Sequence, residues 1–319
     1  MYPQVYPVPE KIDFEANKYK ELDLPTDGFI TEIILKVKIS VTTDATNGAT
    51  PNEDALARLI KRVEVRSGET SFYTAPDGRF LKWVNYYEFG DVAEDSLPTA
   101  ADVTQDVKAT YVIHLGFESS DKFDPTVVIP AEVLSSLKIQ VLWGSASDLG
   151  TGYTINSGEI EVILHRLVLE KNEVPEDIFP RGYVEPRFNV ADQPVNATYS
   201  DLGLQVNAPI GNVIRRTWLM VVDNSDNRTN TDVSEVGVKD ETRNVYLLKN
   251  SLDAIRYTDK LQYRLSQIVD GFAVIDAEDL SGLPIGFDTS EDYKPGDLKV
   301  GFTTTTTGGR IKLIFEQLT

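Results

Sequence analysis

A chain of 319 residues with 41% hydrophobic and 25% charged side chains holds enough apolar material for a core in each of two ordinary domains, which argues against disorder. Its 31 Lys and Arg stand against 50 Asp and Glu, a formal net charge of -19 that repels phosphate backbones, so direct nucleic-acid binding is not expected. With no cysteine there are no disulfides, thiolate metal sites or thiol nucleophiles, and no window approaches the roughly 18 apolar residues of a membrane-spanning helix.

The chain opens on MYPQVYPVPEKIDFEANKYKE, where Pro3, Pro7 and Pro9 remove backbone donors and favour extended, polyproline-like structure; residues 1–24 read as an arm that docks elsewhere. Met1 to Glu10 is rich in Pro and Tyr rather than a charged stretch followed by an apolar core, so no secretion signal is expected. In GFITEIILKVKISV the residues Ile33, Leu35, Val37, Ile39 and Val41 recur with period two, the mark of a half-buried strand. A polar loop follows, and ALARLIKRVEVRSGETSFYTA reads as a hairpin with its turn at SGET. The basic residues Arg58, Lys61, Arg62 and Arg66, interrupted by Glu64 and Glu69, have the spacing of a strand's solvated face.

PDGRFLKWVNYYEFG sets Phe80, Trp83, Val84 and Tyr87 at helical spacing between a candidate N-cap, Asp77, and a stop, Gly90. Strands resume at TYVIHLGF, VVIPAEVLSSLKIQVLWGSAS and GEIEVILHRLVLEK, the last alternating imperfectly through Ile160, Val162, Leu164 and Leu167. EVPEDIFPRGYVEPRF then carries Pro175, Pro180 and Pro186, a density that breaks both helix and sheet. The expected layout is an arm (1–24), a first sandwich (25–172), a linker (173–190) and a second sandwich (191–319).

The second half repeats the plan in order: a strand (NVIRRTWLMVVDN), a polar loop (DNSDNRTNTD), a hairpin (SEVGVKDETRNVYLL) and a helix (NSLDAIRYTDKLQYRL). VEVRSGETSFY from Val63 aligns with VGVKDETRNVY from Val236, and LKIQVLW from Leu137 with LKVGFTT from Leu298. Ile160, Val162 and Leu164 share parity with Ile311, Leu313 and Phe315. A unit this long indicates duplication of a whole domain rather than a solenoid repeat.

Each half has about eight strand-like segments and one short helix, too few helices for parallel βαβ units. The fold class is therefore all-β: two tandem eight-stranded antiparallel jelly-roll β-sandwiches with short helices in loops, with an immunoglobulin-like sandwich of fewer strands as the alternative. In its tandem copies, its extended N-terminus, its size and the helix PDGRFLKWVNYYEFG after the first hairpin, the chain resembles the double jelly-roll major capsid proteins of tailless icosahedral viruses. That lineage includes adenovirus hexon and membrane-containing phage and archaeal viruses. The resemblance implies a homotrimer of pseudo-hexameric outline in a virion capsid, in contact with neighbouring capsomers, penton and minor capsid proteins. It also implies a base at which Lys11, Lys18 and Lys20 could meet an internal membrane, although Glu10, Asp13, Glu15 and Glu21 nearly cancel them.

Catalytic constellations are not expected, and no cofactor or metal is assigned. His114 and His165 stand alone in separate strands, and neither a serine-nucleophile elbow nor a phosphate loop is present. Glu159 with Glu161, and Asp276 with Glu278 and Asp279, could serve a glycosidase but read as solvated surface. Asp223, Ser225 and Asn227 begin like a calcium loop; Arg228 then replaces the required glycine and Ser234 the bidentate glutamate. Asn196 and Asn227 open glycosylation sequons, and TTTTTGG from Thr303 reads as an exposed strand leading into a hairpin. Trp83, Tyr86, Tyr87 and Phe89 could stack on sugars or pack internally. The leading expectation is a structural capsid subunit that is not an enzyme. The alternatives are a two-domain glycan-binding or glycan-cleaving sandwich and an adhesin-like module.

Overall fold

A computed structural model describes residues 2–115, 117–119, 122–124, 127–171, 173–175, 179, 182–277, 287–290 and 293–319; Pro180, Glu278 and Asp279 lie outside these. The chain forms two compact units, Met1–Pro186 and Arg187–Thr319.

The first unit contains β1 (Tyr2–Asp13), β2 (Tyr19–Leu24), β3 (Phe29–Thr43), β4 (Ile60–Ser67), β5 (Thr70–Ala75), helix α1 (Gly78–Phe89), β6 (Thr104–His114), β7 (Leu137–Trp143) and β8 (Tyr153–Val168). One sheet runs β1-β8-β3-β6, extended by the short strand Ala93–Glu94; the other runs β2-β7-β4-β5. Of these eight strands, β4 and β5 are the consecutive pair that forms a hairpin within one sheet; the short strand Ala93–Glu94 also pairs with the following β6, and Phe117–Ser119 with Lys122–Asp124. The other connections cross between sheets, which is the wiring of a jelly roll.

The second unit repeats this with β9 (Pro186–Pro194), β10 (Leu204–Asn207), β11 (Val213–Val222), β12 (Val233–Asp240), β13 (Val245–Ser251), helix α2 (Leu252–Gln262), β14 (Phe272–Asp276), β15 (Leu298–Thr304) and β16 (Arg310–Leu318). Its sheets are β9-β16-β11-β14 and β10-β15-β12-β13, the same order again. Registers coincide as well as order. Val65 faces Ile139 where Val238 faces Val300, and Val37 faces Ile160 where Val221 faces Ile311.

Period-two burial explains this constancy. Ile33, Leu35, Val37, Ile39 and Val41 of β3 are buried, and a slip of one residue would turn all of them outward. In β8 burial keeps the parity of Ile160, Val162 and Leu164 through Arg166 and leaves Leu167 only partly buried, while a bulge at Thr31 of the facing β3 shifts the register between His165 and Arg166.

The N-terminal segment corrects the expectation of an arm docked elsewhere. β1 pairs with β8 and β2 with β7, so residues 2–24 supply two of the first jelly roll's eight main strands. Ile12, Leu22 and Leu24 are buried, and Phe14 meets Trp143 edge-on at 5.3 Å. Pro3 and Pro7 fit because β1 is an edge strand, where a missing N–H removes no ladder bond. The TTTTTGG run also departs from expectation, because it joins β15 to β16 in the opposite sheet and closes no hairpin.

The α1 helix starts and stops where the sequence predicts. The Asp77 carboxylate accepts the Arg79 backbone N–H at 3.0 Å, and Gly90 ends the helix in the left-handed region (φ 77°). Ser251 caps α2 in the same way, accepting the Ala254 N–H at 3.1 Å.

Candidate functional site

The two helices anchor to their sheets through one polar position. Asn85, the eighth residue of α1, donates its side-chain amide to the Val112 carbonyl (2.6 Å) and accepts the Val112 N–H (2.7 Å), so the side chain pairs with β6 as a neighbouring strand would. Asp259, the eighth residue of α2, accepts the Val274 N–H of β14 at 3.0 Å. Val112 faces Ile34 across its sheet and Val274 faces Trp218, which are corresponding positions. Sequence reasoning missed this clamp. A buried-phase polar residue eight places into both capped helices was the available signal.

Around α1 lies a second polar cluster. The Lys82 ammonium is 3.0 Å from Asp54 and 2.6 Å from Glu94; the Trp83 indole donates to Asp54 at 3.0 Å and the Tyr111 hydroxyl to Glu94 at 2.5 Å. Burial opposes the Lys82 charge, but the Glu94 and Asp54 carboxylates outweigh it and raise its pKa. Burial, reinforced by Glu94, holds the Tyr111 phenol far above its ordinary pKa.

The corresponding strands β3 and β11 treat their outer faces differently. In the first unit Glu32 faces both His114 and His165 in register, and its carboxylate is 2.9 Å from His165 Nδ1 on a partly solvated surface. In the second unit the matching pair is Arg216 and Glu316, with the carboxylate on the other strand and both side chains buried. Glu316 is 2.9 Å from Arg216 Nε and 2.9 Å from Arg215 Nη1, and accepts the Trp218 indole N–H at 3.3 Å. Desolvation pushes the Glu316 carboxyl upward, but the two guanidiniums prevail and set its pKa at about 2. The adjacent arginines inside NVIRRTWLMVV were the sequence signal for this buried centre.

The remaining candidates do not converge. The histidines share only the Glu32 row, and among the described residues no group of three His, Asp or Glu side chains could hold a metal ion. Glu159 and Glu161 both bind Lys11, at 2.9 and 2.8 Å, and Asp276 accepts the Tyr263 hydroxyl. Asp223 Oδ1 accepts the Ser225 and Asn227 N–H groups of its own loop, at 2.8 and 2.9 Å. Of the aromatic group offered for sugar stacking, Trp83, Tyr86 and Tyr87 are buried and only Phe89 is exposed, against His114, so no stacking platform forms there. Asn196 is exposed and Asn227 partly so.

The basic stretch is also corrected in part. Lys61, Arg62 and Arg66 are half-buried on β4, engaged by Asp148, Glu64 and the Gly68 carbonyl, while Arg58 is buried in a helical turn, Ala55–Arg58. At the N-terminus, Lys18 and Lys20 both bind Glu15, holding that carboxyl at about 2. All three lysines considered for a lipid surface are therefore engaged within the chain. Among the described residues no helix is long and apolar enough to cross a membrane.

No family model matches the sequence, and no curated protein sequence matches it. Solved structures do match. The major capsid protein of Sulfolobus turreted icosahedral virus superposes with a TM-score of 0.82 at 15% identity, over 99% of this chain and 97% of that one. The chain has the double jelly-roll fold. The same fold is seen in the major capsid protein P2 of bacteriophage PM2 (TM-score 0.58, 12% identity, 99% and 97% covered) and in the PBCV-1 virus capsid (0.64, 8%, 99% and 94%). In this double jelly roll the clamp and the buried Arg–Glu centre brace the scaffold, and the two units share their wiring and strand register.

Proposed function

We propose that the chain is a major capsid protein of an icosahedral virion, a structural subunit whose work is assembly. The observation that carries this is full-length correspondence: one chain holds two jelly rolls of identical strand order, over nearly the whole length of a viral major capsid protein of the same fold. Two like domains per chain let three copies approximate a ring of six, because head-to-tail contacts that close generate rings. The proposed state is a homotrimeric capsomer, located in the virion capsid, bordered by other capsomers and by penton and minor capsid proteins. Engagement of Lys11, Lys18 and Lys20 by carboxylates favours protein neighbours over lipid at the N-terminal edge.

Light scattering of the purified chain tests the reading, with a trimer expected. Electron microscopy of concentrated material should show pseudo-hexagonal particles. A chain that stays monomeric across the accessible concentration range overturns the proposal.

A further inference from the structure

The polar cluster around α1 brings one amine and two carboxylates together away from water. Asp54 heads the turn Ala55–Arg58 in the left-handed region (φ 53°), yet its side chain does not cap that turn. It reaches α1 instead: Oδ2 accepts the Trp83 indole N–H at 3.0 Å, and Oδ1 lies 3.0 Å from Lys82 Nζ, so Cγ is no more than one C–O bond farther away. Glu94 stands beside the same amine, with Oε2 at 2.6 Å, while its Oε1 accepts the Tyr111 hydroxyl. The Asp54 and Glu94 side chains are 3% and 13% exposed and that of Lys82 16%, and the rings of Trp83 and Tyr111 that bound the group are buried.

The second jelly roll provides the comparison. Lys82 is the fifth residue of α1 and Arg256 the fifth of α2, likewise buried and likewise held between two carboxylates, Asp253 at 2.8 Å and Asp270 at 2.6 Å. There the carboxylate side chains are 69% and 66% exposed, and a guanidinium does not give up its proton to become a nucleophile. The first unit instead sets an amine, which can lose its proton, against carboxyl groups shielded from water. In such a place two opposite charges are costly to hold, and a neutral product relieves that cost.

We infer that Lys82 and Asp54 join in an intramolecular isopeptide bond, Nζ to Cγ, with Glu94 as the proton carrier. One proton of the ammonium passes to Asp54 Oδ1, leaving a neutral amine beside a neutral carboxyl, and the Nζ lone pair forms the bond to Cγ. The Trp83 N–H stabilises the charge that develops on Oδ2. Glu94 takes a second proton from the nitrogen and returns it to Oδ1; the Cγ–Oδ1 bond breaks and water leaves. The third proton stays as the amide N–H, nothing is oxidised or reduced, and no co-reactant is needed. The two carboxylates keep Lys82 charged at rest, so the step runs slowly through the neutral pair; with water excluded the amide is not hydrolysed back and accumulates. The product keeps the cluster's bonds, since Oδ2 still accepts from Trp83 and the amide N–H faces Glu94. It ties α1 covalently to the loop ahead of β4.

Intact-mass spectrometry of the full chain, incubated folded and then denatured, tests the bond. Wild type should be one water lighter than its sequence, and protease digestion should release a branched peptide joining the segments that carry Asp54 and Lys82. Asp54→Asn should be one ammonia lighter than its own sequence, because nitrogen then leaves in place of oxygen. Lys82→Arg and Glu94→Gln should keep their full masses over the same incubation. If Lys82→Arg does not fold, the branched peptide of wild type and the ammonia loss of Asp54→Asn decide the question. A folded wild-type chain that stays at full mass overturns the cross-link. A water deficit that persists in folded Lys82→Arg also overturns it, since it assigns the loss to succinimide formation at an Asp–Gly step such as Asp27–Gly28. Both results leave the capsid reading intact, because that reading is tested by the oligomeric state.

Discussion

In the first jelly roll the outer face of β3 presents Glu32, Lys36 and Lys38 to solvent, while in the second the same register on β11 presents Arg216, Met220 and Val222 to a buried environment. In the helices the contrast runs the other way, since α1 is buried almost all round and α2 keeps a wide exposed stripe. Strand order, register and the Asn85/Asp259 clamp are common to both. Inward positions answer to one constraint, closure of a two-sheet core, and so change little. Outward positions answer to whatever each copy meets, and there the copies differ in charge, in apolarity and in which strand carries the carboxylate of a facing pair.

The largest effect should separate the two carboxylates, Glu316 and Glu32. Glu316→Gln leaves Arg215 and Arg216 buried without their carboxylate and should cost roughly 3–5 kcal/mol in urea unfolding, whereas Glu32→Gln, at a half-solvated pair, should cost about 1 kcal/mol or less. Equal losses would break the contrast between the faces. The same centre fixes an acid response. Glu316 is depressed from its ordinary 4.5 to about 2, so its stabilisation is fully present above pH 4.5 and is lost as pH falls through about 2. Wild-type stability should fall across that interval more steeply than that of Glu316→Gln, measured by unfolding at matched ionic strength.

Next come the helices. Tyr87→Ala should destabilise the monomer by roughly 3 kcal/mol and Leu261→Ala by no more than about 0.5 kcal/mol, since only the former empties a packed site. Similar shifts in melting temperature would show that the α2 stripe is covered in the isolated chain.

The clamps should give smaller losses. Asn85→Ala and Asp259→Ala should each cost about 1–3 kcal/mol by orphaning backbone groups of β6 and β14, with faster hydrogen exchange at the Val112 and Val274 amides respectively.

The sequence by itself determined the duplication, the β3 core face, the caps Asp77 and Gly90 and the register of paired valines. Each of these is local periodicity or turn chemistry, and the two copies check each other. Tertiary structure alone decided the rest. It turned the proline-rich N-terminus into two strands, because an edge position makes a missing N–H harmless and Ile12, Leu22 and Leu24 needed burial. It put Trp83 and Tyr87 inside and Tyr257 and Leu261 outside, although all four occupy the same helical phase, because burial depends on what crosses over a helix rather than on the helix's own pattern. It also set Glu316 beside Arg215 and Arg216 across a sheet, an encounter between distant segments that only the closed strand order brings about.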